Sequence, residues 1–162
     1  MNVSKNNPES SDKKKMDDYI TYNAEKFVIN IDKEWKDKTI FTLTGPVSDG
    51  IQHNILITME EDIPFDAVID YAEWQIAALE DELKGCLLLL KGEVKLDNGM
   101  PAYEAMFRWY PSDDLRIYQH QIFVLHENKG YKLTASFTKK TRKTLGPEVE
   151  RMMLSFKPIE RK

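Results

Sequence analysis

"YQHQIFVLHENKGYKLT" (residues 118–134) decides how this chain folds. Its first half is a long run of aromatic and branched residues, the composition that a pleated strand favours. A second such run starts at Tyr131, and Asn128-Lys129-Gly130 lies between them. Asn and Gly accept the left-handed backbone that short hairpin turns demand, so the stretch reads as two antiparallel strands joined by a tight turn. Side chains alternate along a strand. One face of the first strand therefore carries Gln119, Gln121, Phe123 and Leu125. A core face would be all apolar, and a solvent face would lack Phe and Leu. The face needs a role that wants both.

Turn signals repeat on both sides of this hairpin. Upstream, Pro111-Ser112-Asp113-Asp114 and Asp97-Asn98-Gly99 separate candidate strands at 86–95, 102–111 and 115–126, with 130–138 following. Short turns between consecutive strands imply an antiparallel meander. Earlier strands are expected at 26–32, 38–45 (closed by Gly45-Pro46) and 53–60. Between the two groups of strands, Phe65, Ile69, Ala72, Ile76, Leu79 and Leu83 recur at steps of four and three. That is the stripe of an amphipathic helix, opened by Pro64 and closed by Gly85. A last helix is expected near 146–155, with Val149, Met152 and Met153 on one side. The fold class is α+β: a mostly antiparallel sheet with flanking helices, part of it uncovered.

With 162 residues, the chain is long enough for one domain with a core of its own. Residues 1–18 are polar and charged and read as a disordered tail, so the domain is expected over 19–162. A net charge of -4 argues against nucleic acid as the main partner. The single cysteine, Cys86, excludes an internal disulfide and a cysteine metal site, and reads as a small buried residue. The N-terminus shows neither an apolar leader nor a lipoprotein-type cysteine, and no run is long enough to span a membrane. The expected location is cytoplasmic, without direct membrane insertion.

A search for chemistry returns little. His120 and His126 share a strand face but stand about 20 Å apart along it, too far for one ion. His53 precedes a different strand. Glu60-Glu61-Asp62 reads as a solvated loop near a helix start. The basic run 138–144 lacks interleaved aromatics and reads as solvated too. No nucleophile elbow, phosphate-binding loop or dinucleotide fingerprint is present. No catalytic residue, cofactor or metal is expected, and the chain is not read as an enzyme.

Five segments, in order, resemble one family: "FVINIDKEWKDKTIFTL" (27–43), "NILITMEEDIPFD" (54–66), "QIAALEDELKGCLLL" (75–89), "NGMPAYEAMFRWY" (98–110) and "IYQHQIFVLHENKGYKLTAS" (117–136). The family is DUF1795, or DcrB, and within it the likeness is to the Eag chaperones of type VI secretion systems. The resemblance implies a Mog1/PsbP-like fold, a curved antiparallel sheet with flanking helices. It also implies a homodimer whose concave faces hold the N-terminal transmembrane segments of an effector, often of the Rhs type. Such a chaperone keeps those segments soluble and aids loading onto the VgrG spike. The groove positions it implies are Ile40, Thr42, Leu56, Gln75, Leu79, Leu83, Ile117 and Gln121. Thr42 departs from the pattern, which often has a branched aliphatic residue there. The other branch of the family implies a small-molecule or lipid-binding module linked to the cell envelope.

Within this resemblance the mixed face acquires a purpose. A transmembrane helix held in water needs apolar cover, worth about 25 cal/mol per Å². Its small and polar residues need partners that carry no charge to desolvate. Gln119 and Gln121 beside Ile117 and Phe123 would supply both. The competing reading is that Gln121 satisfies a buried backbone group beneath a helix.

Overall fold

Glu127 and Asn128 make the turn that organises the main sheet. In the computed structural model, which describes residues 13–160, both have positive φ, 50° and 62°. Two consecutive left-handed residues form the hairpin turn whose twist matches its strands. The turn is thus shorter, and placed earlier, than the Asn128-Lys129-Gly130 expected. Gly130 lies inside the following strand, opposite Leu125. It is small for another reason: the Tyr71 ring sits 2.5 Å from where a Cβ would be.

The described chain divides into two compact units, one ending at Asp37 and one starting at Lys38. In the first, β1 (Tyr19–Asn23) pairs antiparallel with β2 (Val28–Asp32). The sequence reading missed β1. Of the expected tail, residues 1–12 lie outside the described residues, whereas Met16–Asp18 form a 3-10 turn. A backbone N–H of Lys15 donates to the Asp18 carboxylate and lowers its pKa. Asp18 in turn accepts from the Lys33 backbone N–H through its carbonyl, at 2.7 Å.

The second unit is an open sheet of six antiparallel strands in the order β3-β4-β8-β7-β6-β5. The strands are β3 (Ile40–Ser48), β4 (Ile51–Glu60), β5 (Leu87–Lys95), β6 (Pro101–Ser112), β7 (Leu115–His126) and β8 (Lys129–Phe137). The expected meander of four strands is β5 to β8, and the expected strand at 115–126 is β7. Gly45-Pro46 does not end β3. The register shifts between Thr44 and Val47, and pairing resumes to Ser48. β3 is an edge strand, where a proline and a bulge are tolerated. The turn proper is Asp49-Gly50, again with both φ positive.

Register assigns each residue to a face. On one face Ile122 and Val124 of β7 lie beside Leu133 of β8 and Ile55 of β4, in a core closed by Met153. Met153 comes from α4 (Gly146–Leu154), close to the expected last helix. On the other face Phe123 of β7, with Tyr103 and Ala105 of β6, packs beneath Tyr71, Ala72 and Ile76. Those three belong to α1 (Val68–Ala77). β7 is therefore buried on both sides.

The first helix is shorter than its stripe. α1 begins at Val68, a turn breaks it at Ala78, and α2 (Leu79–Glu82) ends with Leu83 already extended. Pro64 does not open it. The residues before it are held elsewhere: Ile63 is buried, and its N–H donates to the Asn128 carbonyl at 2.9 Å. Core burial of Ile63 overrides the helical periodicity. Of the stripe, Ala72 and Ile76 are buried, while Ile69 is exposed.

A third short helix, α3 (Thr141–Thr144), lies in the basic run read as solvated. Thr141 is buried and makes a reciprocal pair with Thr138: each hydroxyl accepts the other's backbone N–H, at 2.9 and 3.1 Å. His53 joins them. Its Nδ1 lies 3.0 Å from the Pro46 carbonyl, which can only accept, so Nδ1 donates there, and Nε2 lies 2.8 Å from Thr141 Oγ1. His53 is a structural tie between β4 and α3.

Candidate functional site

The α1 face of the sheet collects residues from five strands. Thr42 of β3 is opposite Leu56 of β4, and Leu56 is opposite Thr134 of β8. Thr134 is opposite Gln121 of β7, and Gln121 is opposite Ala105 of β6. One rung thus runs Thr42, Leu56, Thr134, Gln121, Ala105 across five strands. The adjacent rung on the same face holds Ser136, Gln119 and Phe107, with Ile117 and Trp109 beyond. On the other side, Ile40 pairs with Thr58. The sequence-derived positions Ile40, Thr42, Leu56, Ile117, Gln119, Gln121 and Phe123 therefore share one face, although 83 positions separate the first from the last.

They differ in access. Ile40 is 58% exposed, Thr42 is exposed, and Leu56 and Gln119 are partly so. Ile117 and Gln121 are buried. Phe123 is fully buried and meets the Tyr71 ring edge-on, with centroids 6.0 Å apart. It supports α1 from below and does not line a surface, because α1 lies directly over β6 and β7. Gln75, Leu79 and Leu83, at and beyond the C-terminal end of α1, are all partly buried. Gln75 approaches the end of β4, with Nε2 3.4 Å from Glu60 Oε1.

The two glutamines are satisfied by side chains on neighbouring strands, not by a buried backbone group. Trp109 Nε1 donates to Gln119 Oε1 at 2.9 Å, and Gln119 Nε2 donates to Ser136 Oγ at 3.0 Å. Gln121 Nε2 donates to Thr134 Oγ1 at 3.3 Å. Sequence reading did not identify Thr134 or Ser136, nor the hydrogen bond from Trp109. Their signal was present: counting outward from a two-residue turn pairs Gln121 with Thr134 and Gln119 with Ser136. The misplaced turn hid it. The result is a shelf of Thr, Leu, Gln and Ser between α1 and the exposed edge strand β3, with Lys132 of β8 beside it in the rung of Ile40, Thr58 and Phe123.

α1 is fastened beside this shelf by Glu73. Its carboxylate accepts from Tyr103 Oη at 2.7 Å and from Lys91 Nζ at 3.0 Å. The Tyr103 bond, then the lysine, holds the Glu73 pKa below the ordinary carboxylate value. Burial, reinforced by Glu73, pushes the Tyr103 phenol up to about 12. Cys86 is partly buried, and that burial raises its thiol pKa, the opposite of what a nucleophile needs.

The opposite face holds a feature that the sequence did not announce. A cavity of about 620 Å³ lies between β3–β4 and α4, lined largely by apolar side chains that include Leu43, Ile57, Leu133, Val149 and Phe156. Its size is that of a small-molecule site. Among the described residues, no helix is long and apolar enough to cross a membrane.

Comparison with known proteins agrees with this architecture. PA94 from Pseudomonas aeruginosa, a protein of unknown function described as a candidate regulator, superposes with a TM-score of 0.69 at 17% identity. The match covers 88% of this chain and 99% of that one. The cyanobacterial PsbP protein CyanoP of Synechocystis sp. PCC 6803 gives 0.52 at 13% identity, over 93% of this chain and 98% of its own. LpqN, involved in cell envelope biogenesis of Mycobacterium tuberculosis, gives 0.50 at 14%, over 67% and 65%. At such identities the likeness is one of fold, and the fold is α+β and PsbP-like. No curated protein matches the sequence. The DcrB family model matches residues 28–155, most of the chain, and the chain belongs to the DcrB family.

Proposed function

We propose that this chain is a chaperone, not an enzyme, that holds the N-terminal transmembrane segments of a type VI secretion effector on its α1 face. It would act as a homodimer in the cytoplasm and aid loading of the effector, of the Rhs type, onto the VgrG spike. The supporting observation is the shelf itself. Residues of β3, β4, β7 and β8 meet in register on one face, largely apolar or neutral, beside the edge of the sheet, where Ile40 on that face is more than half exposed. A monomeric domain rarely leaves such a patch unless something covers it. Ile40 and Leu56 offer apolar contact, and the exposed Thr42 hydroxyl and partly exposed Gln119 offer hydrogen bonds for the Gly, Ser and Thr of a membrane helix.

Thr42→Glu tests this cleanly. Thr42 is exposed, so the change should alter stability by no more than about 0.5 kcal/mol. A charge facing a membrane helix would nevertheless be desolvated and costly. Co-expressed with the transmembrane N-terminal segment of a type VI secretion effector from the same organism, the parent chain should keep that segment soluble. Thr42→Glu and Leu79→Glu should not. Full solubility with both variants would remove the shelf from the account.

A second reading has its own support. The 620 Å³ cavity on the α4 face suits an apolar small molecule or acyl chain, as an envelope-linked binding module would require. Organic extraction of the purified protein followed by mass spectrometry separates the two: a stoichiometric apolar ligand favours this second reading.

A further inference from the structure

We propose that Glu104, His120 and Glu150 form a binding site for a divalent transition-metal ion of the zinc class. The site is independent of the α1 face. Glu104 on β6 and His120 on β7 are diagonal neighbours on the α4 face of the sheet, and Glu150 reaches them from α4. One ligand atom from each lies within 4.8 Å of the other two. A tetrahedral ion with bonds of about 2.1 Å places its ligand atoms roughly 3.4 Å apart, so small side-chain movements suffice. Sequence reading looked for a second histidine along β7 and found His126 out of reach. The third ligand comes from a helix instead.

Three further observations point to a cation. His120 is only 4% exposed, and its Nε2 already lies 2.8 Å from Glu104 Oε2. Among the described residues neither carboxylate makes an ion pair with a lysine or arginine. Arg142 lines the same cavity as His120 and Glu150, its guanidinium stacked 4.9 Å from the centre of the Tyr118 ring. Finally, His120 and Glu150 line a cavity of about 170 Å³, room for a water as a fourth ligand. One imidazole with two carboxylates suits zinc, cobalt or nickel better than magnesium or calcium, which favour oxygen-only shells. The ion would fasten α4 to β6 and β7.

The test uses the full chain without a histidine tag, stripped by chelator and titrated with Zn2+ in a calorimeter. Thermal melting and the visible absorption of bound Co2+ serve as parallel readouts. We expect one ion per chain at this site, a higher Tm with metal, and a Co2+ spectrum of low coordination number. Glu150→Gln and His120→Asn should each weaken binding roughly tenfold or more. His126→Gln should leave it unchanged, although His126, Glu127 and Glu160 form the other close ligand group among the described residues. Should His120→Asn fail to fold, Glu150→Gln decides, since Glu150 projects from a partly exposed helix position. No heat and no Tm shift, or binding indifferent to Glu150→Gln, or binding lost only in His126→Gln, would each overturn the proposal.

Discussion

Gly130 shows how a single missing side chain positions the site. The Tyr71 ring packs onto its bare Cα, and that contact seats α1 on the sheet. Gly130→Ala would drive a methyl to 2.5 Å from the ring. We expect a loss of about 1–3 kcal/mol, the usual cost of overpacking a tight contact, measured by urea unfolding. An unchanged midpoint would mean that Tyr71 does not hold α1 as described. At this scale the sequence was partly legible. Gln119 and Gln121 stood out because they interrupt an apolar face. Their partners did not, because Thr134 and Ser136 are ordinary strand residues whose importance comes only from register. The tie of His53 to Thr141 was invisible for the same reason, since 88 residues separate them.

Elements were legible where their rules are local and lost where packing overrules them. Four turn-separated strands could be read because each turn carries Gly, Asn or Asp. The Asp49-Gly50 turn carries the same signal, but Gly45-Pro46, met first along the chain, reads as the strand end. A bulge on an edge strand imitates a terminus. The long helical stripe from Phe65 to Leu83 breaks into α1, a turn and α2, and its first turn is lost because Ile63 is drawn into the core and bonded to Asn128. α1 is then short for its task, and Glu73 reinforces it by tying it to Tyr103 and Lys91. Glu73 has a folded-state pKa below the ordinary 4.5. A depressed carboxylate contributes stability that is complete above its unfolded value and is lost as pH falls through its folded value. Stability measured from pH 6 downward should therefore fall through and below the ordinary carboxylate range. Glu73→Gln should flatten that fall. Parallel acid profiles for the two proteins would show that the tether carries nothing.

For the whole molecule, five short segments in the right order pointed to the DcrB family, which the match over residues 28–155 establishes. The segments lie at the sheet strands and at α1, so the α+β fold came with them. What stayed hidden depends on surfaces that only the assembled chain creates. The division at Asp37 is one such feature, the cavity beneath α4 another, and the cluster of Glu104, His120 and Glu150 a third. None has a sequence motif. The chaperone account rests on the α1 face being a client surface. The most direct measurement is the mass of the complex that elutes when the full chain is co-expressed with the transmembrane N-terminal segment of a type VI secretion effector from the same organism. A client surface on the α1 face should give a soluble, co-eluting species containing two copies of this chain. The chain eluting alone, with the segment in the insoluble fraction, would contradict it.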